Sequence, residues 1–392
     1  MPPRDDYAVE QGRPERQGSE RRLRIAFVYD ALFPFQKGGA ERRFHELARR
    51  LAERHEVHYV TWRHWDGPAL AVADGIVLHG IGRPRAMYGS DGKRRVAEAA
   101  AFSAALGPVL ARRRFDVVDC SATPYLPLYP CWAALRMTRT PMLATWHEFW
   151  GRHWNDYLAH RPAVALAARL LEERSARFGD AIVAVSRFTA ARLPRRADYV
   201  VENGIDFRDV GPWLPPAQRN GADIVAVGRL IDEKRIDILL DAVAMLRSQL
   251  PGIRCEVIGD GPERAGLEAR AARLGLGGQV RFLGHVDEAT LHDRLSRART
   301  LALPSVREGF GIVVVEALAR GTVPVVAQAP YSAAATLIED GATGLAAAAK
   351  PAAFAAALAK LLTNGALLAA MSAAGVNDAR RYDWDVLAPR ME

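Results

Sequence analysis

The sequence predicts an α/β protein of two Rossmann-like domains, each built on a parallel sheet. Short apolar runs alternate with helix-length amphipathic segments, which is the pattern of parallel strands connected by crossover helices. The alternation stops at the Pro-rich residues 212–216 and then starts again. The chain has 392 residues. Two domains also fit this length, because single cores stop growing at roughly 250–300 residues.

The expected strands are short apolar runs, and the segments between them have helical periodicity. Ligands of such sheets bind beyond the carboxyl ends of the strands, and two facing sheets would form a ligand cleft between the domains. In the first domain, strands are expected at residues 24–29, 57–62, 76–81, 116–120, 142–146, 181–185 and 199–201, and helices at 41–53, 93–113 and 164–178. In the second domain, strands are expected at 224–227, 255–258, 280–282, 300–303 and 323–326, and helices at 236–249, 263–274, 288–298, 312–319 and 352–362.

Composition sets the expected boundaries of these domains. Residues 1–22 are polar and contain no apolar h-region, so we expect a disordered tail rather than a signal peptide. Residues 23–206 form the first domain, 207–221 a linker and 222–378 the second domain. No apolar run of about 18 residues occurs, so no membrane span is expected. The expected localisation is cytoplasmic, with peripheral contact at the inner face of the membrane.

The cysteine content argues against a disulfide framework and against zinc. Cys120, Cys131 and Cys255 are odd in number and widely spaced, and no C-x-x-C pair occurs. We therefore expect three small buried side chains in a protein of a reducing compartment.

The positive charge is concentrated in the first half of the chain. Residues 1–200 contain 32 Lys and Arg against 22 Asp and Glu, a net charge of +10, whereas the remainder carries −2. Such a half is suited to anionic lipid headgroups or to a phosphorylated acceptor. An Arg-rich solvated surface explains the same count equally well. Nucleic acid is not expected, because no recognised binding motif accompanies the charge.

A glycine pair opens the first helix. Gly38 and Gly39 are followed by Ala40 and Glu41. Glycines allow a ligand to approach the backbone closely, and the start of the helix offers free N–H groups to an anion or a sugar hydroxyl. A simple turn before a helix explains the pair equally well.

Two cations follow the first strand of the second domain. Arg229 comes directly after Gly228, and Lys234 lies five residues further on. The planar guanidinium group of arginine donates two hydrogen bonds to phosphate oxygens, and lysine acts as a point charge. The pair is therefore suited to a pyrophosphate. The alternative is a solvated turn with two surface cations.

Residues 305–316 contain the most specific pattern, two glutamates with seven residues between them. Glu308 lies in a Gly-flanked loop, and Glu316 lies about one and a half turns into an otherwise apolar helix. A carboxylate in that position needs a partner or a hydroxyl-rich ligand, and the N–H groups of residues 309–311 stand at the start of the helix. The combination is suited to a polyhydroxylated anion. The alternative is that the Glu316 side chain extends from the helix face to solvent, which would account for Glu316 but not for Glu308.

Several ordered motifs together resemble a known family. They are residues 38–41, 145–148 (Thr-Trp-His-Glu), 186–188, 202–206, 228–230 with 233–234, 259–262 and 282–284, and the glutamates Glu308 and Glu316. From about Leu23 onward the chain resembles family 4 of the retaining, nucleotide-sugar-dependent glycosyltransferases. That resemblance implies the GT-B fold of two facing Rossmann-like domains, the first binding the acceptor and the second the nucleotide-sugar donor. It also implies a C-terminal helix at residues 379–392 that packs back on the first domain.

The resemblance implies a role for each matching position of the second domain. Arg229 and Lys234 would hold the donor diphosphate and stabilise it as the leaving group. Glu316 would bind the ribose. Glu308, with the amides of residues 309–311, would hold the transferred sugar near its anomeric carbon, and the backbone of residues 281–283 would contact the nucleobase.

In the first domain, the resemblance places Gly39 near the diphosphate or sugar and His147 across the cleft, on a sugar hydroxyl. A hydrogen-bonded structural histidine is the alternative for His147. The catalytic candidates are Glu308, Lys234, Arg229 and His147. The donor-binding candidates are Gly38, Gly39, Gly228, Arg229, Lys234, Phe282, Leu283, Glu308, Gly309, Phe310, Gly311 and Glu316.

Some segments depart from the family pattern or allow two interpretations. Residues 328–333 lack the usual Gly-Gly with an acidic residue, which leaves the donor sugar open. Residues 257–262 resemble a dinucleotide fingerprint but predict a tight turn, because Arg264 stands where the third glycine should be.

The Asp383-x-Asp385 motif is interpreted as structural. The aromatic residues either line an acceptor groove or pack between helix and sheet; they are Trp146, Phe149, Trp150, Trp154 and Tyr157.

The expected function is retaining transfer of a hexosyl group from a nucleotide-diphosphate sugar to a lipid-linked or cell-envelope glycan acceptor. Fixed cations at the leaving group would make a metal unnecessary, and the donor is a co-substrate rather than a cofactor. The partners expected are the donor, an acceptor glycan, lipid or small molecule, and an anionic membrane surface. The alternatives are transfer to a soluble natural product, a nucleotide-sugar epimerase, and a catalytically inactive GT-B binding protein.

Overall fold

The computed structural model describes residues 21–89 and 94–392, which divide into two compact units. The first unit comprises the described residues up to Asn203 together with Ala388–Glu392, and the second comprises Gly204–Leu387. Residues 1–20 of the expected tail lie outside the described residues, as does Lys93, where the second helix is expected to begin.

The first unit is an eight-stranded sheet with helices on its faces. Its strands are β1 (Arg24–Val28), β2 (Glu56–Thr61), β3 (Leu70–Ala73), β4 (Ile76–Gly80), β5 (Val117–Ser121), β6 (Met142–Trp146), β7 (Ala181–Ala184) and β8 (Tyr199–Val200). Its helices are α1 (Gly39–Leu51), α2 (Val96–Ala111), α3 (Leu128–Thr138), α4 (His153–Tyr157), α5 (Pro162–Ser175) and α6 (Arg187–Arg192). The strand order is β3-β4-β2-β1-β5-β6-β7-β8, and every pair is parallel except β3 with β4.

The second unit is a six-stranded parallel sheet of order β11-β10-β9-β12-β14-β16, beside a two-stranded sheet of β13 and β15. Its strands are β9 (Ile224–Val227), β10 (Cys255–Ile258), β11 (Val280–Gly284), β12 (Thr300–Leu303), β13 (Arg307–Glu308), β14 (Val323–Gln328), β15 (Tyr331–Ser332) and β16 (Leu345–Ala348). Its helices are α7 (Ile236–Leu246), α8 (Arg264–Arg273), α9 (Glu288–Arg297), α10 (Ile312–Ala319), α11 (Pro351–Leu362), α12 (Gly365–Ala379) and α13 (Trp384–Leu387).

Each unit has its own apolar core around the central strands. In the first unit, α1 packs on the sheet through Phe44, whose ring lies 5.5 Å from that of Phe27. In the second unit, α7 and α11 cover the sheet with side chains such as Leu240 and Leu358, both fully buried. Buried parallel strands of this kind are near-continuous apolar runs, which is why the sequence pattern located them.

The expected strands are all present within two residues of their predicted bounds, but several elements were not expected. The β3–β4 hairpin turns at Asp74 and Gly75, both with positive φ (+50° and +74°). This is the Asp-Gly signal of a tight hairpin turn. The strand β16 has the sequence Leu-Ala-Ala-Ala, and alanine has low strand propensity.

Residues 207–221, whose composition predicts a linker, pack on the second unit. The guanidinium of Arg219 is buried there and donates hydrogen bonds of 2.7–3.0 Å to the carbonyls of Leu214, Ala298 and Arg320 and to the hydroxyl of Thr322. The boundary between the units falls instead at Asn203 and Gly204.

The C-terminal segment 379–392 differs from the single helix that the resemblance implies. It forms short turns at Arg380–Tyr382, Trp384–Leu387 and Ala388–Met391. The reason is the extended backbone of Asp383, which pairs with Ile205 in a strand-like bridge and interrupts the helix. Of these residues, only Ala388–Glu392 belong to the first unit.

Among the described residues, no single helix is long and apolar enough to cross a membrane. One bent pair passes the length and composition test together: Pro351–Leu362 with Gly365–Tyr382, at an angle of 95°.

Candidate active site

The strand order of the second sheet reverses between β9 and β12, which lie side by side. Ligands of open parallel sheets bind beyond the carboxyl ends of the strands at such a switch point. The segment 228–234 follows β9, and the segment 304–308 follows β12. The two predicted donor segments therefore flank the switch point.

Three glycines let the loops after β9 and β10 touch through their backbones. Gly228 and Gly259 have φ values of +153° and +132°, which side chains rarely adopt. A Cβ on Gly259 would collide with the carbonyl of Gly228, and one on Gly261 would collide with the carbonyl of Leu230. Residues 259–262 thus form a tight turn after β10, as the sequence predicts.

Lys234 and Glu308 form an ion pair, although 74 positions of sequence separate them. The Nζ of Lys234 lies 2.5 Å from Oε1 of Glu308. The lysine stem passes over Gly228, where an added Cβ would lie 3.4 Å from Lys234 Cε. The two side chains are 21% and 11% exposed. Lys234 is thus the more accessible partner of a pair that is largely shielded from solvent.

The same two segments are tied together beside this ion pair. Arg307 donates to the carboxylate of Glu233 at 3.3 Å, and the N–H of Val306 donates to the carbonyl of Glu233 at 3.0 Å. Arg229 is exposed on the loop next to Gly228. The structure therefore places both predicted cations on one loop and fixes that loop against the segment that carries Glu308.

Glu308 is positioned by a short strand and by the helix that follows. β13 pairs with β15, and the carbonyl of Glu308 accepts the N–H of Ala333 at 2.8 Å. Gly311 caps α10 with a φ of +95°, a conformation that favours glycine. α10 has the bounds that the sequence predicts, and Glu316 in its second turn is 6% exposed.

The segment assigned to the nucleobase lies at the edge of the same sheet. Residues 281–283 belong to β11, and Phe282 packs partly against the apolar core. The carbonyl of Gly284 accepts the N–H of Gly259 at 2.8 Å. The carboxyl end of β11 is thereby joined to the glycine loop after β10.

In the first unit, the strand order reverses between β1 and β5. Gly38 and Gly39 stand at the start of α1, the helix that follows β1. A Cβ on Gly38 would collide with the carboxylate of Glu41, which folds back over the start of the helix. Burial raises the pKa of Glu41, and the hydroxyl of Tyr29 donates to its carboxylate at 3.3 Å. The chain's own carboxylate thus faces this helix N-terminus, which makes it less open to an anion than the sequence suggests.

His147 directly follows β6 and is 8% exposed. Its ring centroid lies 5.6 Å from that of Phe44 and 6.4 Å from that of Tyr29. Its Nε2 atom has no hydrogen-bond partner among the described residues. Burial, with a smaller contribution from the positive charge of Arg43, lowers the pKa of His147 to about 3. The imidazole is therefore neutral near pH 7.

A buried polar network behind His147 was missed by the sequence analysis. Arg43 is fully buried and donates to the carbonyl of Glu202 at 2.7 Å and to Oδ1 of Asn203 at 3.3 Å. The hydroxyl of Thr145 donates to both carboxylate oxygens of Asp119, at 2.7 and 2.9 Å. Burial raises the pKa of Asp119 to about 6. An aspartate within an apolar strand was the available sequence signal.

The aromatic residues after β6 separate into two groups. Trp146 and Phe149 are buried and pack in the core, which removes them from the acceptor-groove interpretation. Trp150, Trp154 and Tyr157 are half-buried and stack on each other, with centroids 4.5 Å apart for the two tryptophans and 4.9 Å for Trp150 with Tyr157.

Other predicted features concern cysteine and metal. Cys120, Cys131 and Cys255 are all buried and free, as predicted. Within residues 21–89 and 94–392, no group of three or more His, Cys, Asp or Glu side chains could hold a metal ion. Asp383 accepts the backbone N–H of Asp385 at 3.1 Å, which is the geometry of a turn.

Comparisons with known proteins cover both halves of the chain. Residues 37–209 match the family model described as Glycosyltransferase Family 4, and residues 215–378 match Glycosyl transferases group 1. A phosphatidyl-myo-inositol mannosyltransferase of Mycobacterium leprae is 32% identical over 292 residues, which is 71% of this chain and 72% of the relative. A D-inositol 3-phosphate glycosyltransferase of Streptomyces scabiei is 30% identical over 375 residues, which is 88% of this chain and 82% of the relative.

A solved structure of sucrose-phosphate synthase from Thermosynechococcus elongatus superposes with a TM-score of 0.78 at 20% identity. The superposition covers 94% of this chain and 97% of that chain. At this identity, the likeness concerns the fold.

The buried neutral His147 predicts a stability that depends on pH. An unfolded histidine protonates near pH 6.5, whereas folded His147 protonates only near pH 3. Its contribution is therefore complete above about pH 6.5 and is lost as the pH falls towards 3. Urea unfolding at pH 7 and pH 5 should show the wild type losing about 2 kcal/mol more stability than His147→Gln.

The matched control is His160→Gln, which removes an exposed histidine of the same unit. It should follow the wild type at both pH values. An identical loss of stability in the wild type and in His147→Gln would show that His147 is not held neutral by the fold.

Proposed function

Because the chain belongs to glycosyltransferase family 4, we propose that it transfers a hexosyl group from a nucleotide-diphosphate sugar to a lipid-linked or cell-envelope acceptor. We propose further that the transfer retains the anomeric configuration and needs no metal ion. The observation that carries this proposal is the Lys234–Glu308 ion pair beside the switch point of the second sheet.

The family and the fold were both predicted from the sequence, and both are confirmed. The two relatives reach 30% and 32% identity over most of their own lengths, and the solved structure has the GT-B fold. The chain is a glycosyltransferase that uses a nucleotide sugar. The donor sugar, the acceptor, the stereochemistry and the residue roles belong to the proposal.

The second domain supplies the charge that a departing diphosphate needs. Negative charge grows on the leaving oxygen as the glycosidic carbon gains oxocarbenium character, and fixed cations stabilise that charge without reorganisation. Lys234 is the first such cation, and Arg229 on the same loop is the second. A bound diphosphate competes with Glu308 for the ammonium group of Lys234. Glu308, released from that pair, can then accept a hydrogen bond from a hydroxyl group of the transferred sugar.

The remaining donor contacts follow from the helix after β13. The first N–H groups of α10 lie beside Glu308, and a helix N-terminus attracts phosphate. Glu316 lies in the second turn of the same helix, where burial makes a ribose hydroxyl a suitable partner for its carboxylate. The backbone of residues 281–283 is assigned to the nucleobase. Donor recognition is thus attributed to the loops at the carboxyl ends of the strands of the second sheet.

Metal-independent transfer is supported by the chemistry of these side chains. In glycosyl transfer, a divalent cation would serve to neutralise the diphosphate, and Arg229 with Lys234 offer the same neutralisation. Retention is carried over from the family resemblance. The donor is a co-substrate, and no cofactor is assigned.

The acceptor is assigned to the first domain. His147 has a neutral imidazole, and its Nε2 has no hydrogen-bond partner within residues 21–89 and 94–392. Such a side chain suits a hydrogen bond with a sugar hydroxyl better than proton transfer near pH 7. The mycobacterial relative is named for phosphatidyl-myo-inositol, and the first half of this chain carries the excess positive charge. Both observations favour an anionic lipid-linked acceptor.

A second candidate is transfer to a soluble phosphorylated polyol, because the Streptomyces relative is named for D-inositol 3-phosphate. The same basic half would attract such an acceptor. An epimerase is less well supported, because we expect it to lack two glutamates at the spacing of Glu308 and Glu316. An inactive binding protein is less well supported, because the chain has both donor cations and both glutamates.

The leaving-group role predicts that Lys234→Met lowers transfer at least about a hundredfold, because it removes one preorganised charge from the transition state. Transfer from a panel of nucleotide-diphosphate hexoses should be followed by NMR in the presence of EDTA. The wild type should remain active there and should give a product with the anomeric configuration of the donor.

The matched control is Arg235→Met, which removes the adjacent cation, held at 2.9 Å by the carboxylate of Asp237. It should keep most of the activity. Wild-type turnover in a folded Lys234→Met variant would refute the leaving-group role, loss of wild-type activity in EDTA would refute metal independence, and an inverted product would refute retention.

The ribose role predicts that Glu316→Gln weakens binding of the preferred nucleoside diphosphate about tenfold or more, since hydrogen bonds to a charged group contribute about 1.5–3 kcal/mol. Calorimetric titration with UDP, GDP, ADP and dTDP measures this affinity without any acceptor. Glu339→Gln, which removes an exposed charge from the same unit, is the control. Equal affinities for all four nucleotides in Glu316→Gln and the wild type would contradict the assignment.

A further inference from the structure

The helix α5 exposes an apolar face. Val164, Leu166, Leu170 and Leu171 are 50%, 52%, 54% and 44% exposed. Surface helices normally turn charged and polar side chains towards water. Contiguous apolar side chains on a surface indicate an interaction site.

The opposite side of α5 is already attached to its own domain. Ala165, Glu172 and Ser175 are buried along one seam. The hydroxyl of Tyr129 donates to the carbonyl of Leu171 at 2.8 Å, and that of Tyr125 donates to the carbonyl of Ala168 at 3.3 Å. The helix is therefore held in place by its buried seam, and the exposed leucines are not needed for that attachment.

Glu172 connects α5 to the loop of stacked aromatic residues. Its carboxylate accepts the N–H groups of Trp150 and Gly151, at 2.9 and 2.7 Å, and the indole N–H of Trp154 at 3.0 Å. These contacts lie on the buried seam of α5, so they fix the helix to the loop from the side opposite the exposed leucines.

Positive charge lies at both ends of the apolar face. Arg161 immediately precedes the helix, Arg174 lies in its last turn, and Arg177 follows it, all exposed. The acidic side chains of the helix are engaged, Glu172 with the aromatic loop and Glu173 with Arg169 at 2.7 Å. The charge of the rim is thus complementary to an anionic surface.

We propose that the exposed face of α5 docks on an anionic lipid bilayer, with the helix axis in the plane of the membrane and the arginines among the headgroups. An amphipathic helix with a basic rim binds through buried apolar area together with attraction to anionic lipid. This proposal rests on the proposed function. Docking would place the acceptor-binding domain at the membrane surface, where a lipid-linked acceptor resides. A second copy of this chain is a poorer occupant, because a self-pair would bring the arginine rims together.

The test is sedimentation with vesicles of phosphatidylcholine, with and without phosphatidylglycerol, in the absence of donor and acceptor. The wild type should bind the anionic vesicles, and Leu166→Gln/Leu170→Gln should lower the partition coefficient at least about tenfold. Arg161→Gln/Arg174→Gln should weaken binding to anionic vesicles and reduce its salt dependence. The control Met245→Gln, at a 54% exposed position of the second unit, should bind as the wild type does.

A labelling experiment covers the case in which the double leucine variant is unstable. The described cysteines are all buried, so a Leu170→Cys variant can carry a polarity-sensitive dye at one site. Its emission should shift to the blue on anionic vesicles, whereas a dye at Met245→Cys should not shift.

Three results would overturn the proposal. They are absence of wild-type binding at low ionic strength, unchanged binding of the folded leucine variant, and a wild-type dimer in sedimentation velocity that the leucine variant abolishes. Donor hydrolysis in the same variants measures the transfer site separately. A failure of vesicle binding therefore leaves the proposed function standing, and a failure of hydrolysis leaves the docking face standing.

Discussion

The ion pair between Lys234 and Glu308 joins the two loops to which the proposed donor site is assigned. The loops leave neighbouring strands, β9 and β12, at the point where the sheet order reverses. Parallel topology alone brings their ends together, and the opposite charges then hold them in register. Gly228 allows the lysine stem to cross the loop, and Gly311 turns the chain into α10 beside Glu308. The proposed function assigns a diphosphate to the ammonium group of this pair and a sugar hydroxyl to its carboxylate.

The switch point of the first sheet is constructed differently. Aromatic rings surround His147 there, and the charged side chains are paired or buried: Asp30 after β1 pairs with Arg94, and Arg43 and Asp119 lie in the network behind His147. His147 is kept neutral there, and the helix N-terminus after β1 is faced by Glu41. The positive charge of the domain lies elsewhere, on its exposed arginines, where it can act on an acceptor or a membrane at longer range.

The sequence predicted the parts of the structure that depend on local patterns. Buried strands, α10 and the loops with Gly228, Arg229 and Glu308 have signatures within a few residues. Contacts between distant segments were not predictable in that way, so the pairing of Lys234 with Glu308 and the network around Arg43 required the structure. The linker interpretation of residues 207–221 rested on proline content, which does not distinguish a free segment from one anchored by Arg219. The leucines of α5 have the spacing of a core helix, and only the buried seam at Glu172 shows which side faces the domain.

Hydrogen–deuterium exchange with and without the preferred nucleoside diphosphate tests the central claim most directly. The account predicts slower amide exchange on binding in residues 228–234 and in residues 304–312, which comprise the loop after β12 and the start of α10, because both segments would contact the donor. It predicts no change in α5. Protection confined to other segments, with exchange in these two loops unchanged, would contradict a donor site at the switch point of the second sheet.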